Sequence, residues 1–314
     1  MVIQLTRTAK HTLIVETPVM PAAGTVGMAF TYHNLVKIEK LGAFVTNPIT
    51  YEPWSPATGT RVVPLDAGVL VHTGLPNNGL SKTIKEYHAI WRDMPIPVIL
   101  HLVATTTDHI ERAVERIDQH DEIAAIELGL DDDISWQDAG SFVKAATERA
   151  EKPILVRLPA YDAYEIAEAV ADVGADALVI AAPPRGTARD PRSGKLVSGR
   201  IYGPLVKPMI LRMVGVLARR IQEVPIIGAG GIHSIQDARD YLDAGAVAVQ
   251  VDSATWIQPN LLERLARDLS GSLMTRPNNA FPDEWHPDMG DTEFHELFGV
   301  DEDDDKDDSP KQQA

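Results

Sequence analysis

Two segments late in the chain carry residue types that can hold an anion. Pro225 to Ile227 is a short apolar run entering Gly228-Ala229-Gly230-Gly231, and a helix capped by Ser234 is expected directly after it. A second apolar run, Ala246 to Val251, leads into Ser253-Ala254. Strand ends built from glycine and small residues leave backbone N–H groups exposed. Two such ends side by side in a parallel barrel make a seat for a phosphate group. The chemistry is expected at the same end, where Asp131-Asp132-Asp133 follows another apolar run. Asp132 is the candidate catalytic carboxylate, able to act as a base if burial or its acidic neighbours raise its pKa. The structural alternative is a helix start, with Asp133 capping the turn from Ile134. Crowded carboxylates also attract hard cations, but no further ligand set stands at a matching spacing, so no metal is expected. His72 and His101 fall near the same end, and without metal-like neighbours each reads as an ordinary hydrogen-bonded histidine.

The elements that must position these residues recur along the chain. Apolar, β-branched runs occur at Val19–Ala22, Ala43–Thr46, Pro97–Val103, Ala124–Leu128, Ile154–Leu158, Ala177–Ala181, Pro225–Gly228 and Val247–Val251. Continuous apolar runs, rather than alternating ones, mark strands buried on both faces. Amphipathic helical patterns lie between them, among them Ile110–Ile117, Ser141–Ala150, Tyr164–Val173 and Ile235–Ala244. A doubly wound open sheet usually carries five or six such units, so eight favour an α/β (β/α)8 TIM barrel. Residues 51–82 and 183–204 are rich in turn formers and read as long active-face loops, the second a candidate lid with Arg185, Arg189, Arg192 and Lys195 as a solvated basic stretch. The barrel is expected over residues 1–272, a C-terminal extension over 273–300, and an acidic, disordered tail over 301–314. Trp285 and Phe294 in the extension offer either a homodimer contact or a cluster packed on the barrel.

The bulk numbers narrow the function classes. The 314 residues carry a formal net charge of −16, with no basic stripe to meet nucleic acid or an anionic membrane. No apolar run approaches the roughly 20 residues that span a bilayer, and the N-terminus lacks a signal-peptide core. There are no cysteines, which removes disulfides, thiolate metal sites and a catalytic thiol. A cytoplasmic protein binding a small-molecule substrate is the expectation.

Five short motifs in order resemble the FMN-dependent dihydroorotate dehydrogenases, most of all the soluble class. They are Pro18-Val19-Met20-Pro21-Ala22-Ala23-Gly24-Thr25, Thr46-Asn47-Pro48-Ile49-Thr50-Tyr51-Glu52-Pro53, Gly74-Leu75-Pro76-Asn77-Asn78-Gly79, Gly203-Pro204-Leu205-Val206-Lys207-Pro208 and Gly230-Gly231-Ile232. The resemblance runs through most of residues 13–260 and implies FMN as cofactor. On it, Ala22, Ala23, Gly24, Asn47, Arg157, Gly203, Gly230, Gly231, Ser253 and Ala254 are the cofactor-binding candidates. Asn47 and Arg157 stand where the family carries lysines. Arg157 keeps a positive charge that stabilises a reduced, anionic flavin; equally, it can pair with an acid of the strand-four loop such as Asp131.

The departures bear on the substrate. The family's orotate-binding asparagines align with Val71, Gly129, Ile134 and Ala182, none of which can donate a side-chain hydrogen bond. Each lost partner in a desolvated site costs ~1–3 kcal/mol, so dihydroorotate is not the expected substrate. The family's Ser-Cys-Pro segment, which holds its base, aligns with Asp131-Asp132-Asp133. Asp252 replaces a glycine, which sets a carboxylate beside the phosphate seat. The leading expectation is therefore an FMN oxidoreductase acting on a CH–CH group of an altered substrate. The alternatives are a non-catalytic structural or regulatory barrel, and an ordinary phosphate-sugar barrel enzyme using the same seat.

Overall fold

The structure, a computed structural model, describes residues 2–7, 12–29, 31 and 34–270. Eight parallel strands form one sheet: β1 (Val19–Pro21), β2 (Phe44–Val45), β3 (Val98–Val103), β4 (Ala125–Gly129), β5 (Ile154–Arg157), β6 (Ala177–Ile180), β7 (Ile226–Ala229) and β8 (Ala248–Val251). Their order is β1-β8-β7-β6-β5-β4-β3-β2. At the remaining seam the Gly42 N–H donates to Val19 O at 2.8 Å. A Cβ at Gly42 would meet Thr17 O at 2.3 Å, so only glycine lets the chain pass there. Every strand falls on an apolar run read from the sequence, and the (β/α)8 barrel is the fold.

The helices are α1 (Leu80–Arg92), α2 (Thr107–Asp118), α3 (Trp136–Arg149), α4 (Ala163–Asp172), α5 (Lys207–Arg220), α6 (Ile235–Asp243), α7 (Ala254–Ile257) and α8 (Leu261–Ser270). Three begin at side-chain caps. Thr106, Ser135 and Ser234 accept from the N–H groups of His109, Asp138 and Asp237 at 3.2, 3.1 and 3.1 Å. The cap of α3 is thus Ser135. Asp133 lies two residues too early, which leaves the three aspartates in the loop ahead of the helix.

Alternate residues of each strand separate two apolar layers. Val98, Leu100, Leu102, Ile126, Leu128, Val156, Ile226 and Val249 pack outward on helix residues such as Ile110, Val114, Ile117 and Val143. Met20, Val45, Ile99, Ala125, Leu155, Val179, Ile227 and Ala248 point inward, joined by Leu5, Leu13 and Val15 from the N-terminal hairpin Ile3–Gln4/Ile14–Val15. Burying one large aliphatic side chain contributes ~1.5–3 kcal/mol, so this hairpin stabilises the barrel floor it closes.

The two segments expected as loops form a sheet. Arg185–Arg189, Leu196–Tyr202, Gly68–Val71 and Val62–Leu65 lie side by side in that order, all antiparallel. Pro64 falls on an outer strand, where its missing N–H matters least. Close backbone approach joins the two hairpins: a Cβ at Gly68 would meet Tyr202 O at 2.2 Å, and one at Gly199 would meet Val71 O at 2.6 Å. The expected extension and tail, with Trp285 and Phe294, lie outside the described residues.

Gly199→Ala should push the hairpins apart while sparing the barrel. A loss of about 1–3 kcal/mol is expected for such overpacking. Hydrogen exchange should accelerate in residues 62–71 and 185–202 but not in β3–β6, and uniform acceleration would contradict this layout.

Candidate active site

Above the apolar inner layer, the same inward positions turn polar. His101 of β3, Glu127 of β4, Arg157 of β5 and Gln250 of β8 each lie two residues beyond Ile99, Ala125, Leu155 and Ala248. Glu127 is fully buried. Its Oε1 meets His101 Nδ1 at 2.8 Å and accepts from Arg157 Nη1 at 3.3 Å, while Gln250 Nε2 donates to Oε2. Arg157 also donates to Gln250 Oε1 at 2.7 Å and to Ala181 O at 3.1 Å. Burial by itself raises the Glu127 carboxyl. The His101 hydrogen bond and the Arg157 charge, with smaller help from Gln250, outweigh burial and hold it at about 2. Ionised Glu127 only accepts, so the His101 proton sits on Nδ1. Arg157 therefore pairs with Glu127 inside the barrel, not with Asp131.

A cavity of about 310 Å³ opens over this layer, between the strand ends and the antiparallel sheet. Its lining includes Ala23, His101, Arg157, Arg200 and Tyr202, along with Val71, Gly129 and Ala182. Three of the four positions where orotate-binding asparagines were expected thus face the cavity without a polar side chain. The fourth, Ile134, is not part of its wall. Gly129 has a physical reason: a Cβ there would stand 2.6 Å from His101 Nε2 and 2.8 Å from Cε1. The imidazole occupies the space where a side chain at 129 would begin. His101 and His72 both line the cavity, and His101 is the member of a buried dyad that the sequence reading left as a lone histidine. The signal was a polar residue two positions beyond an apolar one on each of four strands.

Asp132 is buried beneath the antiparallel sheet, while its neighbour Asp131 reaches the cavity. Arg200 Nη1 donates to Asp132 Oδ1 at 2.5 Å, and Arg185 Nε approaches Oδ2 at 3.0 Å without hydrogen-bond alignment. Burial raises the Asp132 carboxyl above the usual range, and the two guanidiniums only partly reverse it. Arg185 and Arg200 are directly paired across their strands. Like charges in that position repel, and the carboxylate between them offsets the repulsion. Arg185 stays more than half exposed, in keeping with the sequence reading of a solvated basic stretch, while its Nε approaches Asp132.

The expected phosphate seat lies apart from this cavity wall. Gly230 and Gly231 are buried, with φ of 123° and 66°, and among the described residues their N–H groups have no acceptor. A Cβ at Gly231 would meet Lys207 N at 2.6 Å, so packing of α5 also requires glycine. Buried donors lacking an acceptor are what an anionic group satisfies, and these two fit the phosphate of a flavin nucleotide. Ser253 differs: its N–H donates to Asp252 Oδ1 at 2.6 Å. Of the remaining candidates Ala22, Gly203 and Ala254 are buried, Ala23 and Asn47 half-buried, and Gly24 exposed. Gly24 has φ of 84° and faces Pro48, Asn47 Oδ1 accepts from Gly27 N at 3.2 Å, and a Cβ at Gly203 would meet Ala67 O at 2.6 Å. Ala22 N donates to Val251 O at 2.8 Å, and Ala254 opens α7.

The charge on Glu127 makes stability depend on pH. Its carboxyl sits at about 2 against an ordinary 4.5. The depressed value stabilises the fold fully above pH 4.5 and is lost as pH falls toward 2, a contribution of roughly 3 kcal/mol. Glu127→Gln should flatten that acid limb in urea titrations. It should also cost about 3–5 kcal/mol at neutral pH, because Arg157 is left buried without a counter-charge. Parallel acid limbs for the two proteins would refute the assignment.

The sequence profile described as "Dihydroorotate dehydrogenase" matches residues 6–273. The catalytic subunit of dihydroorotate dehydrogenase B (NAD(+)) from Pelobacter propionicus is 33% identical over 273 residues, covering 82% of this chain and 90% of that protein. Its namesake from Geobacter metallireducens is 33% identical over 282 residues, covering 85% and 91%. A crystal structure of DHODH from Eimeria tenella in complex with ferulenol superposes with a TM-score of 0.67 at 20% identity, covering 82% of this chain and 81% of that one, a likeness of fold. The chain belongs to the dihydroorotate dehydrogenase family.

Proposed function

We propose that this chain is an FMN-binding oxidoreductase whose substrate is not dihydroorotate. The observation that carries the reading is the pair of buried glycines Gly230 and Gly231, whose N–H groups meet no acceptor among the described residues, in a chain of this family. Gly230 and Gly231 would hold the phosphate, with Ser253 and Ala254 beside them. Ala22, Ala23, Gly24, Asn47 and Gly203 would lie along the remainder of the nucleotide, and Arg157 at the ring. Bound FMN supplies two-electron exchange with a carbon–hydrogen bond. Arg157, fixed by Glu127, Gln250 and Ala181, is the buried cation that favours negative charge developing over the barrel mouth.

Two groups can handle the substrate proton. Asp132 is the sequence candidate, but two arginines engage it and the cavity wall includes Asp131 instead. His101 lines the cavity, and its Nδ1–H is held by the ionised Glu127, so Nε2 is the nitrogen free to exchange a proton. The geometry favours His101. The substrate is a small molecule that needs no amide donors from positions 71, 129, 134 and 182. The relatives' designation as catalytic subunits supports a companion subunit as partner, alongside the homodimer expected from sequence.

A non-catalytic barrel is the second reading, and the engagement of Asp132 by Arg185 and Arg200 favours it. The visible spectrum of the purified protein separates the two. A flavin band near one FMN per chain, before or after reconstitution, is the expected result, and a colourless protein that ignores added FMN would leave the second reading standing. Dihydroorotate should neither raise the melting temperature nor reduce the flavin, with turnover at least about 1,000-fold below that of an authentic enzyme, the loss that ~4 kcal/mol produces. Ordinary turnover would end the claim of a changed substrate.

A further inference from the structure

Asp252 is a carboxylate buried beside the phosphate seat. It is fully enclosed at the end of β8. Its Oδ1 accepts from Ser253 N at 2.6 Å and from Ser253 Oγ at 3.2 Å. Its Oδ2 is buried without a donor. His233 Nε2 lies 3.4 Å from Ser253 Oγ. One N–H serves one strong acceptor, so a phosphate oxygen and the Asp252 carboxylate cannot both take the Ser253 amide. Two anions sharing one donor in a desolvated site also repel strongly.

We propose that Asp252 is a built-in occupant of the phosphate seat, which makes the chain select against a dianionic phosphate ester until the carboxylate is neutralised. The inference deepens the flavin reading and rests on it for the identity of the ligand. With Asp252 charged, the seat loses the Ser253 amide. With it neutral, the Ser253 amide and hydroxyl become available. The groups facing the carboxylate are His233 after β7, Arg157 of β5, Tyr202 of the antiparallel sheet and Tyr241 of α6. Burial raises its carboxyl above the usual range despite the Ser253 amide, His233 and Arg157. Burial, with the Asp252 charge second, pushes Tyr202 up to about 12 and Tyr241 well above its ordinary value, so neither tyrosine changes charge in the working range.

The test is fluorescence titration of the full chain and of Asp252→Asn and Asp252→Gly with FMN and with riboflavin, which lacks the phosphate. At pH 8 either variant should bind FMN at least about tenfold more tightly than wild type, a change of 1.4 kcal/mol, with riboflavin affinity unchanged. Wild-type affinity for FMN should rise as pH falls by more than that of Asp252→Asn, whose response is limited to the phosphate's own proton near pH 6. Equal FMN affinity in wild type and both folded variants would overturn the proposal while keeping the flavin reading. If no protein binds either flavin, the flavin reading fails, and inorganic phosphate followed by phosphorus NMR decides the proposal. Phosphate binding to the variants alone would uphold it, and binding to none, or equally to all, would overturn it.

Discussion

A carboxylate with no solvent exposure at the centre of the barrel governs what surrounds it. Glu127 can remain ionised there only because three other strands each bring a partner: His101 from β3, Arg157 from β5 and Gln250 from β8. Removing a single partner leaves a buried charge uncompensated. The arrangement also locks register, since sliding any of those strands by one residue would turn its polar side chain out among the helices. The barrel interior is thereby divided into an apolar lower layer closed by the N-terminal hairpin and a polar upper layer that faces the cavity.

The same logic extends upward. Asp132 at the end of β4 sits under two arginines from the antiparallel sheet, and that sheet covers the polar layer. Glycines at 68 and 199 allow its two hairpins to lie against each other without side chains between their backbones. Charge pairing and close backbone contact together turn two polar, turn-rich segments into an ordered cover. Tyr202, on one of these strands, reaches down to the cavity beside Arg157 and Arg200 and packs its ring 5.0 Å from that of Trp256.

Family membership and the pocket chemistry pull in different directions, and the geometry accounts for the difference. Where relatives would be expected to present amide donors, this chain presents Val71, Gly129 and Ala182 on the cavity wall. At Gly129 the His101 imidazole fills the space where a Cβ would stand. The proposed reading therefore retains the family's cofactor scaffold while assigning the pocket a different substrate.

Much of the fold was legible in the chain itself. Strands buried on both faces must be continuously apolar, so all eight announced themselves, and the caps at Ser234 and the glycine turn after β7 followed from local backbone chemistry. The antiparallel sheet was obscured because its strands are partly exposed, and Arg and Gly break the apolar run in Arg185–Arg189 and Leu196–Tyr202. Pairing across the sheet joins segments more than a hundred residues apart, which no local pattern encodes. Residue types and their place at strand ends singled out Asp132, Gly230 and Gly231, and the family resemblance singled out Arg157. Which carboxylate Arg157 meets, that Asp132 is bound by two arginines, and that Asp252 holds the Ser253 amide depend on distances between strand ends, and only the closed barrel sets those distances.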